Sequence, residues 1–192
     1  HYIASAFVPG KTLEAVIDGG PMLPREAAEL ARKLAEALAY AHRQGVIHRD
    51  VKPANVMLRE DGEPLLMDFG LAARADEDSK LTVAGQIMGT PAYCAPEQWR
   101  GHATAASDQY SLGCLLFELL TGQTPFAGGS PAHLMVLHET QPPPSPRQFR
   151  AEVPRDLEAI CLKCLEKEPA RRDADCPALA HDLRRRVVGA PG

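Results

Sequence analysis

The residues of this chain whose types and spacing could do chemistry are His48-Arg49-Asp50-Val51-Lys52-Pro53-Ala54-Asn55 and, further along, Asp68-Phe69-Gly70. Asp50 can take a proton, Lys52 can meet a phosphate as a point charge, and Asn55 and Asp68 can offer oxygen to a hard cation. The forms H-R-D-x-K-x-x-N and D-F-G together hold what phosphoryl transfer from ATP to a hydroxyl requires. The residues between them must bring the two motifs together. Val56-Met57-Leu58-Arg59 and Pro64-Leu65-Leu66-Met67 read as short apolar strands, and Glu60-Asp61-Gly62-Glu63 carries an Asp-Gly turn signal. Asn55 precedes the first strand and Asp68 follows the second, so an antiparallel hairpin puts both at one end.

Other elements must hold that hairpin. Tyr2 to Val8 reads as a strand ended by Pro9-Gly10, and Thr12 to Ile17 as a short helix. Pro24 opens a longer helix in which Ala27, Leu30, Ala31, Leu34, Leu38 and Ala41 recur at helical spacing, with Gly45 placed to stop it. Residues 68–97 have no period and are expected to form a long functional loop. Thr104 or Ser107 can cap the next helix, which runs to about Thr121 and ends at Gly122. Tyr110, Leu112, Cys114, Leu115, Leu116, Phe117, Leu119 and Leu120 cover nearly its whole circumference, so it should be a buried central post. A short helix at 132–139, a stiff connection through Pro142-Pro143-Pro144, and helices at about 154–167 and 177–187 complete the chain. The expected fold is mainly α with small β-hairpins.

Composition narrows the function class. The 192 residues carry a formal charge of -4, which speaks against nucleic acid as a partner. Arg184-Arg185-Arg186 is a basic cluster, and it falls where cations suit a helix C-terminus. Five cysteines without framework spacing fit a reducing compartment. Cys161 and Cys164 form C-x-x-C, but with no second pair and helical spacing they read as core residues. The apolar run from Leu112 to Leu120 is too short to span a bilayer. Pro9-Gly10-Lys11-Thr12 is not the end of a Walker A loop, because Ser5 stands where that motif needs glycine.

These motifs, followed in order by Ala95-Pro96-Glu97, a buried helix led by Asp108 and a late Arg172, resemble the C-terminal lobe of a eukaryotic-type serine/threonine protein kinase. Gly89-Thr90-Pro91-Ala92-Tyr93-Cys94-Ala95-Pro96-Glu97-Gln98 is similar to bacterial members. The resemblance implies the large lobe of the protein-kinase fold with its hinge over residues 1–188, and the start of a tail or linker at 189–192. It implies Asp50 as base, Lys52 and Thr90 beside it, and Asn55 and Asp68 as ligands of magnesium, with manganese as the alternative. Ser5, Ala6, Val8 and Met57 would border the adenine of ATP. Arg49 would pair with a phosphate on Thr82, or second on Ser79, and so order the activation loop. His48, Phe69 and Gly70 are expected to be structural, with His48 and Phe69 packed in a hydrophobic stack. Asp108 would hold the catalytic-loop backbone, and Glu97 and Arg172 would form a buried ion pair.

The sequence departs from the family pattern at Tyr110, Cys94 and Asp173, and it holds no G-x-G-x-x-G loop, strand lysine or partner glutamate. Those parts would belong to an N-terminal β lobe, expected upstream as this lobe's partner; the 192 residues alone are expected to be inactive. Protein substrates are the other expected partners, and a cytoplasmic location is expected, in a parent that membrane anchoring would also suit. Two other readings stay open. A catalytically dead scaffold would need the upstream lysine to be lost. A small-molecule phosphotransferase fits His48-x-Asp50 and Asn55, but not Lys52, Asp68-Phe69-Gly70 or Ala95-Pro96-Glu97.

Overall fold

The fold is built around α4 (Ala105–Thr121), whose residues from Ser107 to Phe117 are all buried in the computed structural model. The structure describes residues 9–69, 73–74 and 90–185. A helix apolar on every side needs partners on every side. They are α2 (Pro24–Arg43), α6 (Arg155–Cys164) and α7 (Cys176–Leu183), with α7 also packed along α2. Leu34 and Leu38 of α2 join Leu115 and Leu119 of α4 and Leu157, Leu179 and Leu183 in one core. The α4–α6 crossing is close because Gly113 has no side chain: a Cβ there would lie 2.6 Å from the Cβ of Cys164.

Helix ends follow their local signals. Pro24 occupies the first turn of α2, and Gly45, at φ 71°, turns the chain away from its end. Thr104 is the N-cap of α4, where the Ser107 hydroxyl accepts its backbone N–H at 2.9 Å, and Gly122 closes the helix at φ 78°. Helix α6 is shorter than its expected span of about 154–167. After Cys164 the carbonyls of Glu166 and Lys167 accept from the Arg172 guanidinium at 2.9 and 3.2 Å, so they serve a buried cation instead of another helical turn.

Three antiparallel strands, in the order β1-β3-β4, flank this helical body: β1 (Gly10–Thr12), β3 (Val56–Arg59) and β4 (Pro64–Leu66). The β3–β4 hairpin has the expected register, Val56 opposite Leu66 and Leu58 opposite Pro64. Strand β1 was not expected, because Pro9-Gly10 reads as a strand end. Glycine is what permits it: a Cβ at Gly10 would lie 2.2 Å from the Leu58 carbonyl oxygen. Short helix α1 (Leu13–Ile17) follows β1, with Thr12 as its N-cap. A second, two-stranded sheet pairs β2 (Val46–Ile47) with β5 (Ala73–Arg74), which the reading of 68–97 as one loop missed. That stretch also contains a 3-10 turn, Pro91–Tyr93, and α3 (Pro96–Trp99). Both pack on α5 (Pro131–Thr140). Among the described residues no helix is long and apolar enough to cross a membrane. The structure is helix-rich with small sheets, as the large lobe of the protein-kinase fold should be.

Candidate active site

The loop after β2 is held from beneath by α4. The Asp108 carboxylate accepts the backbone N–H groups of His48 and Arg49, each at 2.9 Å, and is fully buried. His42 of α2 adds a third contact, its Nε2 lying 2.7 Å from the same carboxylate. Arg49 sits at φ 69°, a left-handed conformation that a non-glycine residue keeps only when its surroundings enforce it. Gln98 completes the enforcement by donating to the Arg49 carbonyl at 2.9 Å.

His48 is committed on both ring nitrogens. Nε2 lies 2.9 Å from the Met67 carbonyl, which can only accept, so it carries the proton; Nδ1 accepts the Asp50 N–H at 3.3 Å. Both ring nitrogens are thus engaged within the protein. The Phe69 ring packs on the His48 ring at 4.5 Å, but Phe69 is 40% exposed, so the expected buried stack is only half made here.

Four polar residues converge in front of this loop. One oxygen of Asp50 accepts the Thr90 backbone N–H at 3.0 Å; the other accepts Asn55 Nδ2 at 3.0 Å and lies 2.8 Å from Lys52 Nζ. Lys52 Nζ also donates to the Thr90 hydroxyl at 2.6 Å. Asn55 gives its second amide hydrogen to the Asp50 carbonyl at 2.8 Å. Both amide hydrogens of Asn55 are thus spent internally, which leaves its oxygen as the atom a cation can use. The hairpin does what its spacing suggests, since the Met67 N–H donates to the Asn55 carbonyl at 2.8 Å. Asp68 follows at once, in the left-handed region at φ 58°. A carboxylate and an amide oxygen suit magnesium, which is held in phosphate sites by one or two protein oxygens and by the phosphates themselves. Among the described residues no cluster of three or more His, Cys, Asp or Glu could hold a metal by itself.

Behind the segment from Thr90 to Trp99 lies the Glu97–Arg172 pair, with N–O distances of 2.6 and 3.0 Å. Ser107 also donates to Glu97, at 2.8 Å, and Arg172 reaches the Ala106 carbonyl at 2.8 Å. Burial alone would raise the Glu97 pKa, but the Arg172 hydrogen bonds and charge outweigh it and hold the carboxyl below the usual range. Tyr93 donates its hydroxyl proton to Glu118 at 2.6 Å, and burial raises the pKa of both groups. Cys161 and Cys164 are buried in the core, as their helical spacing implies.

Of the expected nucleotide contacts, Met57 is half-buried in the middle of the three-stranded sheet, opposite Thr12 and Leu65. Ser5, Ala6 and Val8 lie outside the described residues, as do Gly70, Ser79 and Thr82. Among the described residues the Arg49 Nε is buried without a hydrogen-bond partner. Sequence reasoning missed His42 and Gln98. His42 belongs to a regular helical pattern and Gln98 follows Glu97 without a signal of its own; only the packing of α2 and α3 against the loop gives them work.

Known proteins show the same arrangement of sequence. The protein kinase domain family matches residues 1–183. The chain is 40% identical over 192 residues to serine/threonine-protein kinase PknB of Mycobacterium leprae, covering 99% of this chain and 31% of that protein. It is 41% identical over 187 residues to PknB of Mycolicibacterium smegmatis, covering 96% and 30%. A probable serine/threonine-protein kinase PknB of Corynebacterium glutamicum is 40% identical over 191 residues, covering 96% and 30%. The chain therefore spans about three tenths of the length of these relatives. With its motifs in order and its large-lobe architecture in place, the chain belongs to the protein kinase domain family.

Proposed function

We infer that this chain carries the catalytic floor of a serine/threonine protein kinase, which transfers the ATP γ-phosphoryl group to hydroxyls of protein substrates. The observation that carries this reading is the Asp50–Lys52–Thr90 constellation. Asp50 orients the attacking hydroxyl and takes its proton. Lys52, 2.8 Å away, is a positive point charge placed for the phosphoryl group, and Thr90 keeps both at one spacing. Lys52 and Thr90 favour the serine/threonine branch over the tyrosine branch. Asn55 and Asp68 would hold magnesium, which when bound neutralises charge on the phosphates. The anchored segment from Thr90 to Glu97 supports a protein substrate over a small molecule, because it offers a platform beside the base.

Regulation follows from the same frame. Arg49 lies next to the base with Nε unpaired among the described residues, and phosphorylation of Thr82, or second of Ser79, by the kinase itself would give it a bidentate partner. The test is phosphorylation of a protein substrate by the full-length protein with Mg-ATP, alongside Asp50→Asn and an aminoglycoside as competing acceptor. Asp50→Asn should slow transfer about a hundred- to ten-thousandfold. In the same assay residues 1–192 alone, which contain no glycine-rich loop, are expected to show no transfer. An Asp50→Asn protein as active as the original would overturn the assignment, as would transfer to the aminoglycoside alone.

A further inference from the structure

A polar chain that the proposed reaction does not use runs from the turn after α6 through α4 to α5, which packs on the segment beside the base. Lys167 Nζ lies 3.5 Å from the Tyr110 hydroxyl and 4.5 Å from the centre of the Phe126 ring. The Tyr110 hydroxyl in turn lies 2.8 Å from Nδ1 of His138. His138 has no exposed surface, and its Nε2 is buried without a hydrogen-bond partner among the described residues. Helix α5, which carries this ring, packs against the Pro91–Tyr93 turn.

The protons of this chain can be placed. An ammonium only donates, so the Tyr110 oxygen accepts from Lys167 and its own proton goes to Nδ1 of His138. A neutral imidazole then carries its hydrogen on Nε2. Helix α5 depends on this arrangement to an unusual degree. His138 is its one buried residue, while Leu134, Met135 and Leu137 are only partly covered and Val136 is exposed. An imidazole, not an apolar side chain, pins this helix to the body.

We propose that His138 is a positioning residue: bonded to Tyr110 of α4 it pins α5, which packs on the Pro91–Tyr93 segment, and it so sets how tightly a protein substrate docks. The proposal rests on the kinase reading, because that segment begins at Thr90, which binds both Asp50 and Lys52. It also carries a consequence for pH. From the segment after α6 the ring faces Lys167, and Arg172 lies 4.9 Å above Tyr110. Helix α4 contributes Tyr110 and the Cys114 thiol, and α3 contributes Glu97, which Arg172 already occupies. On α5 itself stand His133 and Glu139, the latter 3.1 Å from Arg100. No carboxylate is bonded to the ring among these groups, so a second proton on His138 would meet cations.

Burial, then the Lys167 charge, push the imidazole down to about 4, with the Ala92 carbonyl acting the other way. When α5 lifts off, the ring regains its ordinary value near 6.5 and takes a proton. Below that pH the docked arrangement weakens by about tenfold per unit.

The full-length protein tests this with His138→Phe, which keeps an apolar ring but accepts nothing from Tyr110, and His138→Gln, which keeps a donor and an acceptor but does not titrate. His138→Phe should raise the KM for a peptide substrate about five- to tenfold, the worth of one buried hydrogen bond, with the KM for ATP and kcat nearly unchanged. His138→Gln should restore the KM at pH 7.5. It should also remove the rise that the original protein shows on going to pH 5.5. Hydrogen exchange at the Tyr93 and Cys94 amides, which donate to Thr90 and Pro91, reads the segment without any activity. Exchange should quicken in His138→Phe and recover in His138→Gln. Unchanged exchange overturns the positioning role whatever the activity, and so does altered exchange with an unchanged peptide KM. Altered exchange in a protein that transfers no phosphate supports the positioning role and removes the kinase reading instead.

Discussion

Thr90 joins the two charged residues of the site through different groups, its backbone N–H to Asp50 and its hydroxyl to Lys52. The two contributions can therefore be separated. Thr90→Val keeps the backbone contact and the side-chain shape but leaves the Lys52 ammonium with one anchor fewer. A hydrogen bond to a charged group is worth about 1.5–3 kcal/mol, and about 1.4 kcal/mol is tenfold in rate. Thr90→Val is expected to lower kcat about tenfold or more while leaving the melting temperature within about 2 °C. Steady-state kinetics beside a thermal melt check this, and an unchanged kcat would show that Lys52 needs no help from Thr90. His48 makes the opposite point. It stands in the catalytic motif, yet both its nitrogens are spent on Met67 and Asp50, so its type alone says nothing about proton transfer.

At the scale of elements, the site is a loop clamped between α4 and the segment leading into α3, and the clamp is the Glu97–Arg172 pair. Arg172 reaches Glu97, Ala106, Glu166 and Lys167 at once, so it ties α3 to α4 and to the end of α6. Removing one partner of such a buried pair costs about 3–5 kcal/mol, because the other charge stays behind. Arg172→Ala should lower the unfolding free energy by that amount, seen as a lower denaturant midpoint at unchanged slope; a midpoint unchanged within error would mean that water replaces the guanidinium. Much of this level is legible in sequence. The circumference of α4 announces a buried post, and Asn55, the Asp-Gly turn and Asp68 announce a hairpin that closes on itself. Elements set by contacts between distant residues are not legible. Gly10 reads as a stop until Leu58 lies beside it, and α6 reads as a longer helix until Arg172 takes its following carbonyls. His42 and Gln98 stay silent for the same reason: their partners Asp108 and Arg49 are distant in the chain.

Across the whole molecule these contacts share one core, so the protonation of a few buried groups bears on the stability of the body. Glu97 is held below the usual carboxylate range and His138 is pushed down to about 4. For both, the unfolded chain takes a proton before the folded one does. Their contribution is complete above the unfolded values of about 6.5 for histidine and 4.5 for the carboxylate, and it is lost as pH falls through the folded values. Glu118, raised by burial, works the other way and becomes easier to hold once protonated. Histidine therefore governs the window between about pH 6.5 and 4, and carboxylates govern the range below it. A shift from 6.5 to about 4 corresponds to about 3 kcal/mol across that window. The melting temperature of the full-length protein is expected to be flat from pH 8 to 7 and to fall steadily from pH 6.5 to 5. His138→Gln should flatten that upper limb while keeping the acid collapse below pH 4.5, where Glu97 still titrates. An equally steep upper limb in His138→Gln would assign the loss to another histidine and leave His138 without a part in acid stability.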